Sequence, residues 1–473
     1  MKILLLNPPD IKRGKFTREG RCTQDEGIWS TLWPPVSLVY MGTLLRDSGY
    51  MVKVLDCPAG GIEIEGLEEI IRAYVPDAII WSTGTPTIES DLHLASVFKS
   101  ILPSVKTSVF GTHVSVLDRE CMTSAPLLDA VIRNEPEYTA LEWIEHLGEP
   151  ERFNAIRGLT YRNGPPGRGE IVRNPSREFI GDLDSLPFPD WSFINHTSYI
   201  LPFKGEPFLI ISPLRGCPYR CEFCTSGTYY GNKTRLRSPS SLIAEIKYNI
   251  DTFRVNNFFF WAETFTIHRP FVIELCREIK KSGLGISWVC NARADTVDDE
   301  MLRLMHEAGC WMVSYGIESA DSIILKNMKK NITAEQVKKA VDMTKKNGLL
   351  VSGHVIFGLP GETVGSAYAT IDLVAGLDIE FAQFYCAVPF PGSDLFRTAV
   401  EKGYIGAPVF ECFRQDKAVM SLPTISAHEV DDIRKTAIRT FYLRPSQILK
   451  LLRLMKWKAL RRSIAGAVKL IKS

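Results

Sequence analysis

The 473-residue sequence has no apolar run of the about 20 residues needed to cross a bilayer, which speaks against a chain integral to a membrane. Neither sign of charge is in excess. The 56 Lys and Arg against 54 Asp and Glu leave a formal charge of +2, which names no partner by itself and gives no reason to expect DNA. The eleven cysteines are an odd number, mostly scattered singly, and nothing like a signal peptide opens the chain at Met1-Lys2-Ile3-Leu4-Leu5-Leu6. A reducing, cytoplasmic setting is therefore expected rather than a disulfide framework. No G-x-G-x-x-G follows the first strand-like run, so a dinucleotide is not expected. The last absence is local: Cys217, Cys221 and Cys224, spaced C-x3-C-x2-C, have no fourth cysteine beside them.

That triad stands in Arg215-Gly216-Cys217-Pro218-Tyr219-Arg220-Cys221-Glu222-Phe223-Cys224, directly after the apolar run from Phe208 to Leu214. A structural zinc site closes its shell with four ligands, and an electron-transfer iron–sulfur cluster is held by four cysteines. Three thiolates leave one metal position open to a substrate.

The length predicts two or three domains, and 45% hydrophobic with 23% charged residues is ordinary for a globular protein. Over residues 1–150, strand-like runs at Lys2 to Asn7, Met51 to Asp56, Asp77 to Thr83, Thr107 to Gly111 and Asp129 to Arg133 alternate with helix-length stretches, the first from Pro35 to Ser48. Five such strands predict a Rossmann-like, doubly wound parallel α/β sheet, with ligands at the strands' carboxyl ends. Those ends carry Asn7-Pro8-Pro9, Ser82-Thr83-Gly84-Thr85-Pro86, Gly111-Thr112-His113-Val114-Ser115 and Asn134-Glu135-Pro136-Glu137, which read as one rim. Residues 151–205 read as a connector with a hairpin over Arg157 to Gly164 and Glu170 to Arg173, then a Pro-punctuated extended stretch.

Residues 206–403 repeat strand then helix six times. The strands are expected at Phe208 to Leu214, Asn257 to Trp261, Ser287 to Cys290, Met312 to Gly316, Val351 to Phe357 and Phe381 to Val388. Helices are expected between them, with Gly283, Gly309, Gly348 and Gly403 where helices should end. Six βα units without a seventh and eighth describe a partial (β/α)6 barrel of TIM type, whose site lies at the carboxyl ends of its strands. Residues 404–473 read as a helical region. From Arg444 to Ser473 there are nine Lys or Arg, no acidic residue, and Trp457 among the apolar positions. Such a basic amphipathic tail fits a membrane surface, an acidic partner or a helix packed on the barrel.

The cysteine loop resembles the radical S-adenosylmethionine (radical SAM) signature, with Phe223 as the aromatic before the last cysteine. The domain ahead of it resembles the cobalamin-binding domain of the B12-dependent branch of that family, through Trp33-Pro34-Pro35, Gly111-Thr112-His113 and the turn at Glu135 and Glu137. The resemblance implies a [4Fe-4S] cluster on Cys217, Cys221 and Cys224, whose open iron chelates S-adenosylmethionine. It also implies cobalamin along Trp33, Pro34, Thr83, Gly84, Thr85, Gly111, Thr112, His113, Val114, Glu135 and Glu137. The D-x-H-x-x-G motif that offers cobalt a histidine in B12 mutases is absent, so His113 is expected to line the corrin rim rather than ligate cobalt. At the barrel's strand ends, Glu263 would receive the ammonium of S-adenosylmethionine and Arg293 its carboxylate. Glu318 and Ser319 would hold its ribose or methionyl part, and the backbone of Gly358 and Pro360 its adenine. Tyr385 and the Pro389-Phe390-Pro391-Gly392-Ser393 turn would face the substrate, with Tyr385 the catalytic candidate.

The chemistry implied is radical methyl transfer. A 5′-deoxyadenosyl radical takes hydrogen from an unactivated carbon, methylcobalamin supplies the methyl group, and a second S-adenosylmethionine restores it. A protein or peptide residue such as a glutamine backbone carbon, a lipid and a natural product are the substrate classes in view. A low-potential donor such as ferredoxin or flavodoxin is the expected partner. The alternative is cobalamin-dependent oxidative cyclisation of the magnesium-protoporphyrin ester cyclase type.

Overall fold

The computed structural model describes residues 1–9, 16–19, 24–25, 32–165, 167–201 and 204–454. Strand β1 (Lys2–Asn7) shows why the first unit folds as it does. Its run Ile-Leu-Leu-Leu is apolar on both sides, as a strand covered on both faces requires. Ile3 and Leu5 join one core with Leu38, Met41 and Trp143, while Leu4 and Leu6 join the opposite core with Leu67, Ile71 and Phe98. Helices Val36–Asp47 and Glu137–Glu145 thus cover one face, and Ile64–Tyr74 and Ile88–Ile101 the other.

Beside β1 lie β2 (Met51–Asp56), β3 (Ala78–Ser82), β4 (Lys106–Phe110) and β5 (Ala130–Ile132), all parallel, in the order β2-β1-β3-β4-β5. The hairpin forms as β6 (Leu159–Asn163) and β7 (Glu170–Arg173), but it does not belong to a separate connector. β6 pairs antiparallel with β5, so the hairpin is the far edge of a seven-stranded sheet that extends past residue 150. The rest of that stretch crosses to the second unit and buries Leu183, Leu186, Trp191 and Tyr199 in its core.

The second sheet is six-stranded and parallel throughout, in sequential order: β8 (Leu209–Ile211), β9 (Asn257–Phe260), β10 (Ser287–Ala292), β11 (Cys310–Glu318), β12 (Leu350–Phe357) and β13 (Phe381–Cys386). Helices return the chain at Pro239–Phe253, Arg269–Ser282, Asp299–Glu307, Ala334–Lys346 and Val364–Gly376. A further short helix, Ser322–Asn327, follows β11, started by the Asp321 side chain accepting from the N–H groups of Ile323 and Ile324. The sheet never closes, so β13 is a bare edge that must be covered. The C-terminal helix Ala427–Tyr442 does this: the Tyr442 hydroxyl accepts from Ala382 N–H at 3.1 Å and donates to Ala382 C=O at 2.8 Å, and Arg434 donates to Phe384 C=O at 2.9 Å.

The region after residue 403 departs from a purely helical one. Apart from the short 3₁₀ turn Phe410–Cys412, residues 404–426 are irregular, and helices resume at Ala427–Tyr442 and Pro445–Leu454. The irregular stretch folds back on the first unit, where Phe410 packs edge-on against His113 at 4.6 Å. The remainder of the basic tail, Trp457 included, lies outside the described residues. Among those described, no helix is long and apolar enough to cross a membrane.

One buried bond ties the crossing segment to the first sheet. The Tyr199 hydroxyl donates to Asp56 Oδ2 at 2.6 Å, and Asp56 Oδ1 accepts from Asn7 at 2.9 Å. Tyr199→Phe leaves a buried carboxylate short of a donor and should cost about 1–3 kcal/mol. A thermal scan of the apoprotein should show its midpoint lowered, and an unchanged midpoint would mean the bond carries nothing.

Candidate active site

The cysteine loop is an excursion between two short paired segments, Leu214–Arg215 and Arg235–Leu236. Backbone bonds fix its path: Cys217 N–H donates to Gly231 C=O at 3.1 Å, Cys224 N–H to Cys221 C=O at 3.0 Å, and Glu222 N–H to Met328 C=O at 3.0 Å. None of the three is in a disulfide. Cys224 accepts from Ser226 N–H at 3.5 Å, and the Cys217 sulfur lies 3.9 Å from Thr264 Oγ1. Phe223 packs half-buried on the barrel core. Burial pushes the Cys221 thiol up to about 11, with Lys330 and Arg293 pulling against that rise.

Among the described residues no three His, Cys, Asp or Glu side chains gather where one ion could sit. A four-iron cluster takes its thiolates at separate corners instead, and three thiols on an anchored loop beside two cations suit such an anionic group with one corner open.

Three predicted groups, one from each of three strand ends, reach this loop, though not all in the expected manner. Glu263, beyond β9, is buried and accepts from Gly216 N–H at 3.2 Å, the residue before Cys217. Arg293, beyond β10, lies 3.7 Å over the Tyr219 ring with one nitrogen 3.9 Å from the Cys221 sulfur. Its fork is filled by Asp295 at 2.9 and 3.0 Å, so here it shapes the cluster loop rather than standing open to a ligand carboxylate. Glu318 adopts φ +63° where β11 shifts register, and pairs with Lys330 at 2.9 Å. A Cβ at position 316 would run into both members of that pair and push their chain ends aside.

Ser319 turns the other way. It is buried against Thr370 of helix Val364–Gly376, and its hydroxyl accepts from Asp321 N–H at 3.1 Å, because the following turn needs a cap. Gly358 and Pro360 form the turn beyond β12, where Gly358 N–H donates to the Glu362 carboxylate.

On the first unit, the ends of β3 and β4 pack together. Thr83 N–H and Oγ1 both donate to Phe110 C=O, at 2.9 and 3.0 Å. Gly111 has φ +141°, and a Cβ on it would lie 2.6 Å from Thr83 C=O. Gly84 N–H donates to Asp91, and Thr112 is half-buried. His113 shares a 3.3 Å contact with the Thr85 hydroxyl, and burial pushes its pKa down to about 3, so it is a neutral imidazole. The rim is thus built of hydroxyls, backbone amides and a neutral ring, several of them bonded to one another and buried.

Five expected members of that lining are elsewhere. Val114 is wholly buried in the domain core, since helix Thr112–Val116 turns it inward. Glu135 and Glu137 are buried in ion pairs with Arg215 and Arg235 of the second unit, with Glu135 Oε2 also accepting from Ile180 N–H at 2.7 Å. Pro34 is buried at the start of helix Val36–Asp47, while Trp33 reaches across to the barrel, 4.8 Å from Phe259 and 5.0 Å from Trp261.

Arg18, unforeseen, fills the carboxyl ends of β1 and β3. It pairs with Asp91 at 2.9 Å and donates to Asn7 and to Pro8 C=O, all buried. Nothing in a charged loop sequence distinguishes that arginine from a solvated one.

The barrel's inward face carries neutral polar groups in register. Asn291, Ser314 and Ser352 form one row, and Gly316, His354 and Gln383 the next. Tyr385 lies one step further, its hydroxyl 3.5 Å from His354 Nδ1 and the two rings parallel within 9°. His354 was not foreseen, although a lone polar residue in Val-Ser-Gly-His-Val-Ile-Phe was the available signal.

Burial pushes the Glu362 carboxyl from 4.5 to about 7. The folded chain therefore keeps a proton that the unfolded chain has lost, and stability from this group falls as pH rises between those values. Glu362→Gln should flatten the decline of the melting midpoint between about pH 5 and about pH 8. Parallel profiles for the two proteins would contradict it.

Comparison with known proteins identifies the family. Residues 30–143 match the B12 binding domain and residues 211–374 the radical SAM superfamily. An uncharacterized methyltransferase of Pyrococcus horikoshii is 30% identical over 95% of this chain and 94% of its own. The anaerobic magnesium-protoporphyrin IX monomethyl ester cyclase of Rubrivivax gelatinosus is 29% identical over 78% and 67%. The cytidylyl-2-hydroxyethylphosphonate methyltransferase of Streptomyces wedmorensis is 26% identical over 85% and 82%. Among solved structures, the radical S-adenosylmethionine methyltransferase TsrM of Kitasatospora setae, with cobalamin and a [4Fe-4S] cluster bound, aligns with TM-score 0.68 at 18% identity, over 86% of this chain and 76% of that one. The cobalamin-dependent S-adenosylmethionine radical enzyme OxsB, with aqua-cobalamin and S-adenosylmethionine bound, aligns with TM-score 0.72 at 17% identity, over 98% and 71%. At these identities the structural likeness concerns the fold. With a three-cysteine loop on a partial barrel, a B12 binding domain ahead of it and kinship along almost its whole length, the chain belongs to the cobalamin-dependent radical SAM enzymes.

Proposed function

We propose that this enzyme transfers a methyl group to an unactivated carbon. The observation that carries this reading is the 30% identity, over nearly the full length of both chains, to a protein named as a methyltransferase. Bound together, the cluster with S-adenosylmethionine supplies a hydrogen-abstracting radical, and cobalamin supplies the methyl group.

The chain's part is holding and positioning. Cys217, Cys221 and Cys224 would hold the cluster, with Arg293 and Lys330 offsetting its charge. Glu263, bonded to Gly216 of the loop, would meet the ammonium of S-adenosylmethionine, with the Glu318–Lys330 pair nearby. The rim at Thr83 to Thr85 and Gly111 to His113 would carry cobalamin. His113, neutral and engaged with Thr85, fits a corrin-lining role. Tyr385 and His354 stand on the inward face, where a substrate hydroxyl or amide would find both a donor and an acceptor. Trp33, Phe259 and Trp261 pack edge to face and would supply an apolar wall against water.

Ferredoxin or flavodoxin as reductant and a cytoplasmic setting complete the reading; a peptide, lipid or natural-product substrate is compatible with the neutral lining. Oxidative cyclisation is the second reading, favoured by the 29% identity to the Rubrivivax cyclase.

The test is anaerobic. Reconstituted with iron, sulfide and hydroxocobalamin and given S-adenosylmethionine and a low-potential reductant, the enzyme should form both S-adenosylhomocysteine and 5′-deoxyadenosine. 5′-Deoxyadenosine alone would favour the cyclase reading. Cys221→Ala should abolish 5′-deoxyadenosine while cobalamin still binds, and continued production would remove the cluster assignment.

A further inference from the structure

Arg215 stands two residues before Cys217, yet its side chain leaves the barrel. Its guanidinium lies between the rings of Tyr40 and Tyr230, 5.5 and 5.4 Å from their centres. The two arms of its fork end on carboxylates of the first unit, 3.3 Å from Glu135 Oε1 and 2.6 Å from Glu137 Oε1. Arg235, which faces Arg215 across the two-stranded ribbon, donates to the other oxygen of Glu135 at 2.9 Å. All four charged side chains are buried. Two cations and two anions balance as a unit, and none can leave without stranding a buried charge.

This clasp begins beside the rim. Glu135 and Glu137 flank Pro136 in the loop after β5, and Asn134 N–H of that loop donates at 2.8 Å to Ser115 Oγ, in the helix that starts at Thr112. At its other end, Gly216 and Cys217 follow directly, with Gly216 held by Glu263. The backbone between the clasp and the first cysteine is a single residue long.

We propose that Arg215 is a positioning residue through which the cobalamin-binding domain sets the cluster loop, so that cobalamin on the rim is felt at Cys217 to Cys224. Lysine cannot replace it, because one ammonium reaches one carboxylate where the planar fork spans two. Only the activity measurement below rests on the methyl-transfer reading.

Hydrogen exchange tests the coupling in the full chain carrying its cluster, with and without hydroxocobalamin. In the unaltered protein, cobalamin should slow exchange in peptides covering both the rim, 82–85 and 111–113, and the loop, 214–224. In Arg215→Lys the rim should still respond and the loop should not. A loop response that survives the substitution, or none in the unaltered protein, overturns the proposal. Glu137→Gln keeps the side chain's shape and leaves Arg215 its bond to Glu135; it should weaken the loop response, and it decides the matter if Arg215→Lys does not fold.

The same variant separates the two products. S-adenosylhomocysteine, which needs the loop and also S-adenosylmethionine in register with cobalt, should fall about tenfold or more in Arg215→Lys, and further than 5′-deoxyadenosine, which needs the loop alone. Equal loss of both would reduce Arg215 to a stability role and overturn the proposal. If the unaltered protein forms no S-adenosylhomocysteine, the methyl-transfer reading fails, and the exchange comparison still decides the clasp.

Discussion

Arg215 between Glu135 and Glu137 is the contact on which the two halves of this molecule depend. A sheet that offers a cobalamin rim and a barrel that offers three thiolates are of no joint use unless their mouths face each other at a fixed separation. Surface ion pairs supply little such rigidity. A fully buried pair of arginines and glutamates does, because any relative movement exposes uncompensated charge to an apolar surrounding. Trp33 against Phe259 and Trp261, and Tyr199 on Asp56, add apolar and hydrogen-bonded ties across the same boundary.

Within the barrel, the division of labour follows from where charge is spent. The charged groups near the cysteines are already paired: Arg293 with Asp295, Lys330 with Glu318, and Lys329 with Glu222. The inward rows beyond them hold no acidic residue, Lys or Arg, carrying Asn291, Ser314, His354, Gln383 and Tyr385. The cysteine end of the site thus carries its charges in matched pairs, while the space facing the rim suits a substrate that brings hydrogen bonds rather than charge.

Much of this was legible in the sequence, where the signal is local. The six strands of the barrel fall where apolar runs and helix-ending glycines put them, and the cysteine loop is read directly from its spacing. What was not legible depends on partners far away in the chain. Glu135 and Glu137 looked like rim residues because nothing near them betrays Arg215, 78 to 80 residues on. Ser319 shares a strand end with Glu318, but its direction is set by a turn that needs a cap and by Thr370 of a later helix. Val114 follows three plausible rim residues, and only the pitch of a five-residue helix sends it into the core. His354 stands in an otherwise apolar strand, and its significance appears only once β13 brings Tyr385 beside it.

An anaerobic crystal structure of the reconstituted enzyme with hydroxocobalamin and S-adenosylmethionine, with anomalous data at the iron and cobalt edges, tests the central claim most directly. The account predicts an iron signal on Cys217, Cys221 and Cys224 with no fourth protein ligand, and a cobalt signal at the Thr83 to Thr85 and Gly111 to His113 rim, facing the barrel mouth. A fourth protein ligand on the cluster, or cobalt bound away from that rim, would contradict it.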